Sequence, residues 1–95
     1  MTALQPRAVR NIPAQSRYEL DTEAGLAWAD YRSSPGKVTV FHTEVPQALR
    51  GRGIGAVLVR GVLDDIRRRG LKVVPSCGYV RAFMARNPEF KDLLA

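Results

Sequence analysis

The sequence holds one cysteine, one histidine and one tryptophan in 95 residues, and aromatic residues make up only 7%. A single cysteine closes no internal disulfide, so the fold must rest on packing, and a reducing, cytoplasmic setting is expected. One cysteine and one histidine do not supply a four-ligand zinc site without carboxylates or a second chain, so no metal is expected. No apolar run approaches the roughly 20 residues that cross a bilayer, so no membrane partner is expected either. Met1 to Ala14 carry Arg7 and Arg10 but no apolar segment, unlike a secretory leader. The few aromatics are not interleaved with the basic residues, as a nucleic-acid stacking platform requires.

What is present reads as one ordinary globular domain. Hydrophobic residues make up 45% and charged residues 25%, the proportions of a packed protein, and the length leaves room for one core. Fifteen Lys and Arg against nine Asp and Glu give a net charge of +6. That balance suits nucleic acid, an anionic membrane or a phosphate-bearing ligand, and equally an arginine-rich surface with no partner. Composition alone does not choose.

Residues 1–9 read as a loose tail, with Pro6 and little periodicity, and 10–95 as the domain. Arg17 to Leu20 alternates as a strand, Asp21 to Gly25 is a turn, and Leu26 to Arg32 alternates again. Ser33-Ser34-Pro35-Gly36 makes a second turn, and Lys37 to Val45, rich in Val, Thr and Phe, a third strand. Short turns imply an antiparallel meander. Pro46 stops that strand. From Ile54 to Arg69 the period becomes helical: Ile54, Val57, Leu58, Val62 and Ile66 share a face, widened by Val59 and Leu63. Arg67, Arg68 and Arg69 suit the helix C-terminus, and Gly70 its exit. Leu71 to Pro75 is a fourth strand, parallel to the third through the helical crossover. Gly78 to Arg86 is a second helix, broken by Asn87-Pro88, with a terminal helical piece from Glu89 to Leu94. The fold class is therefore α+β: a three-stranded antiparallel meander, a parallel strand added through a βαβ crossover, and two main helices.

The strongest site signal is Arg50-Gly51-Arg52-Gly53-Ile54-Gly55, between a strand and a helix. Glycines let the backbone turn tightly and approach a ligand. Free N–H groups of the first helical turn, at the positive end of the dipole, make an anion site suited to phosphate or pyrophosphate. Arg50 and Arg52 add charge-assisted donors. The alternative is a loop that merely turns the chain, with its arginines in water. The Walker pattern is excluded because Gly55 is followed by Ala56-Val57, and a dinucleotide fold because Pro46 to Leu49 separate strand from glycines.

Arg50-x-x-Gly53-x-Gly55 resembles the Gln/Arg-x-x-Gly-x-Gly/Ala acetyl-CoA motif of the GNAT superfamily of N-acetyltransferases. The surrounding order of strand, loop, long helix, strand and helix is similar too. The likeness is greater to a subgroup of very small GNAT-like proteins, on His42-Thr43-Glu44-Val45-Pro46, Pro75-Ser76-Cys77, Arg86-Asn87-Pro88 and the first strand at Ser16 to Leu20. It covers roughly Arg10 to Leu94. The resemblance implies acetyl-CoA as bound substrate, with the main-chain N–H groups of Gly51, Arg52, Gly53, Ile54 and Gly55 on its pyrophosphate. It also implies that the pantetheine arm is added as a strand beside Thr43, Glu44 and Val45, where strand groups are left open.

Two residues have the chemistry for catalysis. Cys77 precedes a helix N-terminus, where a thiolate is stabilised. It reads as an acyl carrier or as the acid for the departing CoA thiolate, or else as a small buried hydrophobe. His42 reads as a general base for an amine. On a regular strand it shares a face with Val38 and Val40, which would leave it partly buried, and the alternative is a core-edge histidine bonded to a carbonyl. The tyrosine that the larger enzymes carry in their last helix has no counterpart in Ala82-Phe83-Met84-Ala85, and Tyr79 is displaced toward Cys77. The helices that wall their acceptor site are also missing, which leaves the amine unidentified. The leading expectation is an N-acetyltransferase acting on a primary amine as a monomer or weak dimer. A non-catalytic CoA-binding module comes second. A nucleic-acid module using Arg50, Arg52, Arg60, Arg67, Arg68, Arg69 and Lys72 comes last.

Overall fold

Turn chemistry sets the register of the sheet. In the computed structural model, which describes residues 9–95, β2 (Arg17–Thr22) pairs antiparallel with β3 (Gly25–Ser34), closing at Thr22 and Gly25. Strand β3 pairs antiparallel with β4 (Lys37–Glu44), closing at Ser34 and Lys37 around Pro35-Gly36. Helix α1 (Ile54–Arg68) then carries the chain back, and β5 (Lys72–Pro75) lies parallel to β4, with Val38 opposite Val73. Helix α2 (Gly78–Arg86) and a 3-10 turn over Pro88–Leu93 close the fold. These elements follow the expected order. The addition is β1 (Arg10–Ile12), antiparallel to β2, which gives five strands in sequence order. The expected loose end at 1–9 lies outside the described residues except for Val9, which packs on the core. A side chain at Gly61, in the middle of α1, would collide with Val9.

Period-2 alternation divides the sheet. Tyr18, Leu20, Ala27, Ala29, Tyr31, Val38, Val40 and Val73 are buried beneath the helices. Helix α1 answers with Leu58, Val59, Val62, Leu63 and Ile66, and α2 with Val80, Phe83 and Met84. Fully burying each of the larger apolar side chains contributes about 1.5–3 kcal/mol. The residues between them on the strands, Arg17, Glu19, Trp28 and Asp30, point to the other face, which no helix covers among the described residues. Helix α1 ends as its sequence predicts: the N–H of Gly70 donates to Arg67 O and that of Leu71 to Ile66 O. Tyr18 ties β2 to this helix by donating to Asp65 Oδ2 at 2.7 Å. Burial and the neighbouring carboxylate push its phenol well above the ordinary tyrosine range.

The meander is not regular throughout. Tyr31 pairs with Val40 but Asp30 pairs with His42, so Phe41 is an extra residue in β4. Beyond this bulge the faces exchange. His42 therefore does not share the helix-covered face with Val38 and Val40, as a regular strand requires. It lies on the open face with Asp30, its side chain 51% exposed. Thr43, opposite the buried Ala29, takes the helix-covered face instead.

Candidate functional site

Pro46 ends β4, and a 3-10 turn over Gln47–Leu49 drops Leu49 into the interior. The N–H groups of Arg50 and Arg52 are tied back to Gln47 O and Leu49 O, which tightens the bend. Gly51 and Gly53 then take φ of +82° and +80°, a region that side chains disfavour. Gly53 caps α1 with no side chain on the helix end, and the first intrahelical bond runs from Val57 N–H to Gly53 O. The N–H groups of Ile54, Gly55 and Ala56 therefore face outward without a helical acceptor.

These amides open onto a cavity of about 650 Å³, within the range of small-ligand and cofactor sites. Thr43, Glu44, Val45, Arg50, Gly51, Gly53, Ile54 and Gly55 line it; Arg52, expected to offer its N–H to a pyrophosphate, does not, and that N–H is taken by Leu49 O. Two lining residues were not legible as part of it. Tyr79 sits over the first turn of α1, so a Cβ on Gly55 would come within 2.5 Å of its hydroxyl. Arg86, the last residue of α2, reaches the same cavity, and no acid pairs with it among the described residues. Only the packing of α2 beside α1 brings them there. The available sequence signals were the placement of Tyr79 two residues beyond Cys77 and that of Arg86 in the Arg86-Asn87-Pro88 motif.

Beyond Thr43, and outside the residues that line the cavity, β4 and β5 part beside Cys77. Their last paired residues are Val40 and Pro75, after which the Cys77 N–H donates to Val40 O at 3.0 Å. Thr43 Oγ1 and Cys77 Sγ lie 3.6 Å apart across the gap. Cys77 is the N-cap of α2. Burial pushes its thiol up, but hydrogen bonds from the Thr43 hydroxyl and the N–H groups of Val80, Tyr79 and Thr43 outweigh it, and the net shift is downward. Its partner is thus Thr43, whereas His42 bonds to Glu44 at 3.0 Å, and Glu44 to Arg50 at 3.2 Å.

The basic run of α1 has a different role. Arg60 bonds to Asn87 and Glu89 and lies over the rings of Phe83 and Phe90. Arg67 pairs with Asp92, Arg68 and Arg69 pair with Asp65, and Arg69 also donates to the Tyr18 hydroxyl at 3.3 Å. These contacts fasten the C-terminal turn and β2 to the helix. Among the described residues no group of His, Cys, Asp or Glu is placed to hold a metal ion, and no helix is long and apolar enough to cross a membrane.

Comparison with known proteins bears on the family and the fold. The sequence profile of the GCN5-related N-acetyl-transferase family matches residues 17–93. Protein NATD1 of Bos taurus is 41% identical over 51 residues, covering 54% of this chain and 45% of that protein. Protein NATD1 of Xenopus tropicalis is 42% identical over 55 residues, covering 56% and 50%. The match thus spans about half the length of these relatives. The solution structure of a GCN5-like protein from Staphylococcus aureus superimposes with a TM-score of 0.69 over 100% of this chain and 91% of its own, at 22% identity.

Proposed function

The chain belongs to the GCN5-related N-acetyltransferase family, and from that premise we propose that it binds acetyl-CoA at the glycine-rich turn and transfers the acetyl group to a primary amine. One observation carries the reading: a single cavity joins the uncapped start of α1 to Thr43, where β4 and β5 part. The N–H groups of Ile54, Gly55 and Ala56, with those of Gly51 and Gly53, hold the pyrophosphate, helped by the helix dipole. Backbone groups of Thr43, Glu44 and Val45, unpaired by β5, take the amides of the pantetheine arm as an added strand.

The acetyl thioester then lies beside Cys77. In direct transfer the amine attacks the carbonyl carbon, the carbon–sulfur bond breaks, and the Cys77 thiol gives its proton to the departing CoA sulfur. In the two-step route the Cys77 thiolate attacks first, forms a thioester and releases CoA, and the amine then takes the acetyl group from Cys77. The hydrogen bonds that lower the thiol pKa favour the thiolate that the second route needs. His42, on the open face of the sheet, accepts the proton of the incoming ammonium. A lone thiol and an acetyl-CoA substrate both suit the cytoplasm.

The uncovered face around His42 favours a second reading, a CoA-binding module without turnover. Native mass spectrometry with acetyl-CoA separates the two. Transferase chemistry predicts a bound carrier, loss of acetyl-CoA when amines are added and, for the two-step route, a protein heavier by one acetyl group that Cys77→Ala abolishes. A bound carrier with no transfer to any amine panel leaves the binding module, and no bound carrier removes both readings.

A further inference from the structure

Helix α2 presents one exposed stripe, made by Tyr79, Ala82 and Arg86. Tyr79 marks the level where α1 begins, since a Cβ on Gly55 would meet its hydroxyl. At 1.5 Å per residue the Cα of Arg86 lies about 10 Å further along the helix, yet its side chain lines the same cavity. No acid pairs with Arg86 among the described residues, and Glu89, three positions on, is taken by Arg60. A cation in the last turn of a helix complements the dipole wherever it points; that does not account for its place on the cavity wall.

We infer that Arg86 reads the third phosphate of the carrier, the monoester on its ribose, and makes this chain selective for CoA over the same molecule without that phosphate. The inference rests on the proposed function for the identity of the carrier and for the diphosphate at the glycine-rich turn. It adds a specificity-determining residue on an element that contributes nothing else to anion binding.

The charges on the cavity wall divide the phosphates between them. Among the described residues its cations are Arg50 and Arg86. Arg50 belongs to the glycine-rich turn and is held there by Glu44 at 3.2 Å, so with the turn amides it serves the diphosphate. Each group of a diphosphate bridge is substituted on two sides and carries a single negative charge, whereas a phosphate monoester carries about 1.5 to 2 at pH 7. The monoester is therefore the stronger partner for a guanidinium, which takes it through two parallel N–H bonds. Position agrees with charge. The pantetheine arm is directed to Thr43, Glu44 and Val45, and the nucleotide arm leaves the diphosphate at its other end, toward the wall that α2 makes. Just past Arg86 that wall is fastened to α1, because Arg60 donates to Asn87 Oδ1 at 3.1 Å.

Calorimetry of the full chain with CoA and with dephospho-CoA, which lacks only the ribose phosphate, tests the inference. Wild type is expected to bind CoA about tenfold to a hundredfold more tightly than dephospho-CoA. In Arg86→Gln the CoA affinity is expected to fall to that of dephospho-CoA, which itself stays at the wild-type level and so shows that the variant is folded. Arg50→Gln is expected to weaken both ligands by the same factor and to keep the preference. Equal wild-type affinity for the two ligands overturns the inference, as does a preference that survives Arg86→Gln. A preference lost in Arg50→Gln moves the third phosphate to the turn, and a loss of both ligands alike in Arg86→Gln moves Arg86 to the diphosphate; either result overturns it too. All four leave the carrier reading standing. That reading falls if wild type binds neither ligand, and the inference falls with it.

Discussion

Thr43 and Cys77 meet across the gap where two parallel strands stop pairing, Oγ1 to Sγ 3.6 Å. The hydroxyl is one of the groups that hold the thiol pKa down against burial. Thr43→Val keeps the shape and deletes the donor. Losing that bond raises the thiol pKa. Alkylation of Cys77 by iodoacetamide at pH 7 should slow about three- to tenfold. The stability profile should move with it. A folded pKa below the ordinary value of about 8.5 adds stability as pH rises from the folded pKa to that value, present in full above it. Thr43→Val should flatten that alkaline gain, read by denaturant unfolding between pH 7 and 9, whereas an unchanged alkylation rate would leave Thr43 without a part in setting the thiol.

Gly55 and Tyr79 are a matched pair, because a Cβ at Gly55 would lie 2.5 Å from the tyrosine hydroxyl. Alanine in an exposed helical turn normally gains about 1 kcal/mol over glycine. Here Gly55→Ala must push Tyr79 aside into the cavity. The expected result is no gain in Tm and a carrier affinity at least tenfold weaker by calorimetry. Adding Tyr79→Ala should restore the Tm gain. Tyr79 is 40% exposed, so its loss should not unfold the chain.

Arg86 reaches the cavity from the end of α2 without an acidic partner among the described residues. A guanidinium so placed adds a charge-assisted contact to a phosphate, about 1.5–3 kcal/mol. Arg86→Gln should weaken CoA binding by about tenfold to a hundredfold and flatten its salt dependence. Acetyl-pantetheine, which has no phosphate, should bind the variant and the wild type equally. A loss shared by both ligands would point instead to a change in the cavity wall.

Local chemistry made most of this architecture legible in advance. The turns at Thr22 to Gly25 and around Pro35-Gly36, the apolar stripe of α1, its exit at Gly70 and the break at Asn87-Pro88 each follow from residues close in sequence. The glycine-rich turn was legible for the same reason. Strand β1 was not, since Arg10–Ile12 carries too few residues for a period and forms only because β2 offers it an edge. Tyr79 and Arg86 were missed because their place in the site depends on how α2 lies beside α1, and the face of His42 because a bulge appears only once two strands are in register.

That bulge yields the sharpest structural prediction. Phe41 is the one extra residue of β4, and everything after it owes its orientation to the insertion. Deleting Phe41 takes out the extra residue and leaves the pairing beyond it in step: Val40 inward is followed by His42 outward, opposite Asp30, and by Thr43 inward, opposite Ala29. The faces that the bulge sets are therefore kept. The deletion should leave the domain folded in denaturant unfolding and retain carrier binding by calorimetry. Phe41→Ala, which keeps the residue count, should also retain binding and lose only the contact between the ring and the Arg32 guanidinium 4.7 Å above it, worth about 0.5–1 kcal/mol at an exposed site. If the deletion abolishes binding while the substitution keeps it, the local bend of the bulge, and not only the faces it sets, arranges the site.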